Sequence, residues 1–211
     1  MDLHGAWGHA GPAFALGFAL GAAPGPVQLL ILSQTARRGF GGGVRVMLGA
    51  NLTMYAILLG LALGLSAVAP SAAVLRVLRV TGGAVLGWIA ANEVRALWRP
   101  TPRGETGRWA QLGPTSMGVV MVILNPGAWI FFATTASSVL AQAGVEAGLP
   151  VALLAATAMA LGVSAADFSF TLLGSGGHAV FGARGLRGIR TALAALLGAI
   201  GVAFVWQGLA R

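Results

Sequence analysis

Residues 12–32 read PAFALGFALGAAPGPVQLLIL, an apolar run without a single charged side chain. A run of that length and character is a membrane-spanning helix rather than a soluble element. Inside it sits Ala22-Ala23-Pro24-Gly25-Pro26. Two prolines astride a glycine remove two backbone donors and loosen the chain, so a helix running through them breaks or kinks. In hydrocarbon, the backbone groups freed by a break are tolerated only where they face protein or a watered cavity. The stretch therefore predicts both a membrane fold and a place within it where the helix opens toward something polar.

The rest of the chain agrees with a membrane class. Of 211 residues 57% are hydrophobic and 9% charged, with a mean hydropathy of +0.84. That composition belongs to an integral membrane protein. Cysteine is absent, which excludes disulfides, thiolate chemistry and cysteine-ligated metals. The formal charge is +8 and all 13 basic residues are arginines. Because they sit in short connections between apolar segments, they read as topology signals rather than as a nucleic-acid surface. The first eleven residues carry Asp2 and no Lys or Arg, unlike the basic start of a signal peptide.

Six apolar segments fall at about 12–35, 44–66, 72–97, 114–140, 148–173 and 189–209, each near the roughly 20 residues that cross a bilayer. The third carries Arg76 and Arg79 near one end and Glu93 and Arg95 near the other, positions from which long side chains reach the headgroups. A five-span arrangement with that segment at the interface is the alternative. Ten arginines fall in the connections around Arg37, Arg103 and Arg187, and three (Arg76, Arg79 and Arg211) on the opposite side. The positive-inside rule then puts those three connections in the cytoplasm and both termini outside. Trp98, Trp109 and Trp206 lie near span ends, as an aromatic belt requires.

The expected fold is an all-α integral membrane protein of six transmembrane helices, one transporter domain over residues 1–211. The polar, turn-prone segment at about 99–113 divides it into halves at about 12–98 and 114–209. Three helices per half insert with opposite orientation, so related halves form inverted repeats. Two features support the relation. Pro24-Gly25-Pro26 in the first span pairs with Asn125-Pro126-Gly127 in the fourth, and each second span carries an embedded polar residue, Asn51 and then Asp167. The spacing is unequal, and a fourth-to-fifth loop over 141–148 is expected to absorb part of the difference. Gly/Pro interruptions in corresponding positions point to a binding site at the repeat interface.

Asp167 is the acidic residue set well inside an apolar span. A lone carboxylate in hydrocarbon costs a few kcal/mol, so it faces the bundle interior and finds a partner or a proton. The bland alternative is a hydrogen bond to a neighbouring helix. Asn51 serves helix packing or a ligand equally well. Asn125, next to Pro126, is placed to satisfy the broken backbone or a ligand carboxylate. Gln28 faces the break; Gln34 is expected at the interface. Gly17-x-x-x-Gly21 and Gly60-x-x-x-Gly64 indicate close helix packing. Catalytic patterns are poor: His4, His9 and His178 show no metal spacing, and Gly174-Ser175-Gly176-Gly177, lacking a lysine, reads as a loop after the fifth span. No catalytic residue, metal site or cofactor is expected.

The first span with its continuation, Gly17-Phe18 through Pro24-Gly25-Pro26 to Arg37-Arg38-Gly39 and Gly41 to Gly49, resembles the amino-acid exporter family that includes the lysine exporter and the homoserine and threonine efflux proteins. Asn125-Pro126, Leu75 to Gly87 with Trp88, and Asp167 extend the resemblance over nearly the whole chain. It implies a six-helix secondary carrier that exports amino acids or derivatives across a bacterial inner membrane, driven by the proton-motive force. The partners implied are a small-molecule substrate and the lipid bilayer, with further copies of the chain compatible and nucleic acid excluded. Departures are Gly127, where lysine commonly follows Asn-Pro, Ala136-Ser137-Ser138-Val139 at the end of the fourth span, and Asn51. The expected cavity is lined by Pro24, Gly25, Pro26, Gln28, Asn51, Asn125, Pro126 and Asp167, with Asp167 as the proton or ammonium site. Rival readings are metal-cation export, a membrane-embedded enzyme acting on lipid or quinone, and a non-catalytic assembly subunit.

Overall fold

The computed structural model describes residues 3–23, 25–64, 72–98 and 112–210. Among them the secondary structure is entirely helical: α1 (Leu3–Ala22), α2 (Pro26–Arg38), α3 (Phe40–Ala62), α4 (Ala72–Trp98), α5 (Pro114–Ile123), α6 (Pro126–Phe131), α7 (Ser137–Ala147) and α8 (Leu149–Leu209). A widened π turn, Phe132–Ala136, joins α6 to α7. Proline sets several starts. Pro26, Pro114 and Pro126 each open a helix directly after its N-cap residue, where the missing N–H costs nothing and φ is already helical.

Four stretches are long and apolar enough to cross a membrane: Phe40–Ala62, Pro126–Ala147, Leu149–Ser175 and Thr191–Leu209. A fifth arises if α1 and α2, inclined at 62° across the Pro24 break, count as one bent span. α4, with its arginines at both ends, stays outside that set. The outer surface is apolar, with Leu52, Leu161, Leu173, Val202 and Trp206 all exposed. The buried polar side chains Gln28, Ser33, Gln34, Thr35, Asp167 and Thr171 lie within α2 and α8. Apolar outside and selectively polar inside is the distribution that lipid imposes.

Small residues set the packing. Gly17 lies against Met159 and Gly21 against Val163 and Ala166, so α1 runs alongside the first part of α8 in the same direction. α2 continues that contact, with Gly174 against Thr35. α3 crosses α8 in the opposite sense, from Gly43 near Thr171 to Tyr55, whose hydroxyl meets Thr157 at 3.1 Å. α4 packs antiparallel on the last part of α8, pairing Ala90 with Gly198, Gly83 with Gly201 and Val80 with Gly208. Gly49 and Gly118 bring α3 and α5 together. A straight helix from Asp167 to Phe204 would span about 55 Å. Both residues line one cavity, so α8 is no straight rod and its two apolar stretches lie side by side.

Several sequence expectations need correction. The first helix begins at Leu3, not near 12, because the Gly/His-containing start and Pro12 are accommodated within it. The first break therefore follows 20 helical residues and the second 10. Residues 141–148 form no loop: α7 continues to Ala147 and only Gly148 separates it from α8. The arm after each break, 13 residues in Pro26–Arg38 and 22 in Pro126–Ala147, supplies part of the unequal spacing, and the rest lies between each corner glycine and the polar residue, Gly39 to Asn51 against Gly148 to Asp167. Gly174 to Gly177 is helical rather than a loop. His9 lies within α1, its Nε2 3.5 Å from Glu146 Oε2. Gln34 is buried, not interfacial.

Candidate functional site

The two interruptions meet. Gly25, Pro26 and Gln28 from the first, and Asn125 and Gly127 from the second, line one cavity of about 290 Å³ together with Asn51 and Asp167. Each group arrives for a local reason. Gly25, extended at φ −138°, is the N-cap of α2 and offers no side-chain cap. The first-turn N–H groups of α2 lack intrahelical acceptors, and Val27 and Gln28 both face the cavity. At the second break, Asn125 Oδ1 accepts the Gly127 N–H at 3.0 Å and the Asn125 carbonyl accepts from Ala128 and Trp129. Trp129 Nε1 donates to the Ile123 carbonyl at 2.7 Å, occupying one acceptor freed by the break. The second helix start is thus self-capped, while the first is left open.

Asp167 is 1% exposed. Its Oδ1 accepts from Gln28 Nε2 at 3.0 Å, and its Oδ2 has no hydrogen-bond partner. Asn51 adjoins the same carboxylate, yet neither its Nδ2 nor its Oδ1 meets a partner at hydrogen-bonding geometry. A buried carboxylate oxygen and a whole amide left unpaired are costly in a protein interior. Both side chains lie at the cavity wall. The rest of the wall is apolar: Leu20, Met54, Val122, Phe132, Val163 and Phe204 contribute hydrocarbon. Phe132 begins the π turn, and such widened turns are frequent beside functional sites.

Of the residues singled out in the sequence, Gly25, Pro26, Gln28, Asn51, Asn125 and Asp167 share this cavity. Pro126 is buried behind it at the start of α6, and Pro24 lies outside the described residues. Sequence reasoning missed the aromatic walls Phe132 and Phe204, which no pattern separates from lipid-facing phenylalanines. It also missed Ser33, further along α2, where Ser33 Oγ and the Oε1 of Gln34 are buried without partners. Among the described residues no three His, Cys, Asp or Glu side chains gather as metal ligands.

The cap at the second break is directly testable. Asn125→Ala removes the acceptor for the Gly127 N–H and is expected to cost about 1 kcal/mol. In detergent that corresponds to a fall in Tm of about 2–4 °C. Asn125→Asp keeps the acceptor and should hold the parent Tm, and an Ala variant as stable as the parent would refute the capping role.

Searches of curated proteins and of solved structures returned no match. The sequence does match the LysE type translocator family, over residues 18–208, which takes in both helix interruptions and every element of the cavity. A polytopic helical chain with a mostly apolar cavity carrying a few polar groups fits that match, and the chain belongs to the LysE type translocator family.

Proposed function

We propose that this translocator is a secondary active exporter of amino acids or related small metabolites across the bacterial cytoplasmic membrane. It crosses the membrane six times and works by alternating access between two inverted three-helix halves. The observation that carries the reading is the convergence of Gly25, Asn125 and the half-paired Asp167 on one cavity. Broken helices facing each other across a midplane site are the means by which secondary carriers hold charged substrates.

Two internal correspondences support the inverted halves. Gly39 and Gly148 are single-residue corners between successive helices, with φ,ψ of 74°, −174° and 84°, 171°. This is glycine-only backbone, and each corner follows the arm after a break. The glycine contacts also exchange as an inverted repeat demands. Contact between the first and fifth passages (Gly17, Gly21, Gly162) corresponds to contact between the fourth and second (Gly118, Gly49). The third and sixth passages, meeting at Gly83 and Gly201, map onto themselves.

Asp167 supplies the coupling. A proton and the ammonium of a substrate compete for the same carboxylate, so loading one releases the other and outward movement of substrate is tied to inward movement of protons. The arginine-rich connections around Arg37, Arg103 and Arg187 support a cytoplasmic location for those connections. Metal-cation cargo is less well served, since the cavity offers one carboxylate and neutral amides rather than several hard ligands. A membrane enzyme needs a nucleophile and base that the cavity does not assemble.

The test is a growth-protection screen. Expression in a host sensitive to amino acids, analogues or dipeptides is expected to relieve inhibition by at least one of them. Verified membrane insertion with protection against none would overturn the exporter reading.

A further inference from the structure

The charge inventory of the cavity is lopsided. Among the described residues its lining holds one ionisable side chain, Asp167, and no Arg, Lys or His. The carboxylate is almost fully buried, tied on one oxygen to Gln28 and unpaired on the other. A single cationic group on the ligand satisfies that free oxygen. An anionic group has no cation to meet, and its available donors are neutral: Asn51 Nδ2, which is unpaired, and the uncapped first turn of α2, whose N-cap is a glycine. Helix N-termini hold carboxylates without a formal counter-charge. One cation site beside one neutral anion site matches the ammonium and carboxylate of an α-amino acid.

What remains for the side chain is hydrocarbon apart from Asn125. Met54, Val122, Phe132, Val163 and Phe204 present no polar atom able to compensate a desolvated charge, and an unpaired ion in such surroundings is strongly disfavoured. A second ammonium, as in lysine or arginine, would lie against these side chains without a partner. A second carboxylate, as in glutamate, would in addition face Asp167. Resting on the exporter reading above, we propose that the cavity selects zwitterionic amino acids with an uncharged aliphatic side chain, of the leucine, methionine and valine type, and rejects dibasic and acidic ones.

The experiment is counterflow of labelled leucine into liposomes containing the purified protein and excess internal leucine, with a panel of unlabelled amino acids as competitors. Methionine and valine are expected to compete comparably with leucine, and lysine, arginine and glutamate at least about 100-fold more weakly. Lysine or glutamate exchanging as well as leucine would overturn the selectivity while leaving the exporter reading intact. Failure of every amino acid to exchange or compete would overturn both.

A variant separates charge from shape. Met54→Glu, one turn beyond Asn51 on α3, adds a second carboxylate to the apolar wall, and Val122→Glu does the same from α5. In either, the ratio of lysine to leucine exchange is expected to rise about tenfold, because a second ammonium then finds a partner. An unchanged ratio in a variant that still exchanges leucine would count against the proposal.

Discussion

Asp167→Asn is expected to reduce efflux driven by an imposed pH gradient about a hundredfold, the scale of a lost charge-assisted hydrogen bond of about 3 kcal/mol. The substitution is close to isosteric, and an asparagine Oδ1 still accepts from Gln28 Nε2, so the contact between α2 and α8 survives. What disappears is the negative charge and the exchangeable proton. Because the same carboxylate is assigned both proton and ammonium, leucine exchange without a gradient should fall as well. Retained exchange with lost gradient response would restrict Asp167 to the proton. Parental efflux under the gradient would remove it from the mechanism.

The second large effect is structural. A Cβ placed on Gly49 would collide with the Thr115 carbonyl oxygen, which is backbone and has no alternative rotamer. Gly49→Val is therefore expected to force α3 and α5 apart and to destabilise the protein by about 3 kcal/mol, the upper range for overpacking. The readout is the yield of monodisperse protein in detergent and its Tm. Gly87 is the control, since a Cβ there meets nothing within 4 Å. Gly87→Ala should be stable or slightly stabilised, as replacing glycine in a helix is worth about 1 kcal/mol. Equal behaviour of the two variants would show that the close approach of α3 and α5 is not what holds them.

Much of the architecture was readable from residues because hydrocarbon imposes simple rules. Long uncharged runs gave the apolar helices, and Pro/Gly interruptions gave the two breaks. The lone carboxylate in an apolar run led to Asp167, since such a group has to be partnered inside. What failed to read followed from the same rules. Residues 141–148 contain Gly144 and Glu146 and look like a loop, yet α7 runs to Ala147 and leaves only Gly148 between helices. Gln34 lies close to Arg37 and its sequence position points to the interface, but its side chain is buried among the helices, which composition does not encode. Phe132 and Phe204 escaped notice because in a membrane protein the lipid side and the cavity side are both apolar. Periodicity separates faces only where their solvents differ.

Gly39 and Gly148 carry a consequence for how the molecule moves. With one residue at each corner, α2 is joined to α3 and α7 to α8 without slack, whereas α1 ends at Ala22 before α2 starts at Pro26 and α5 ends at Ile123 before α6 starts at Pro126. Each half is then a stiff elbow hung from a soft joint. Bending concentrates at the joints, beside Asn125 and beside Gln28, the partner of Asp167. On the exporter reading proposed above, occupying the cavity and setting the angle of the elbow are one event, and no separate relay is needed to tell the helices that a ligand has arrived.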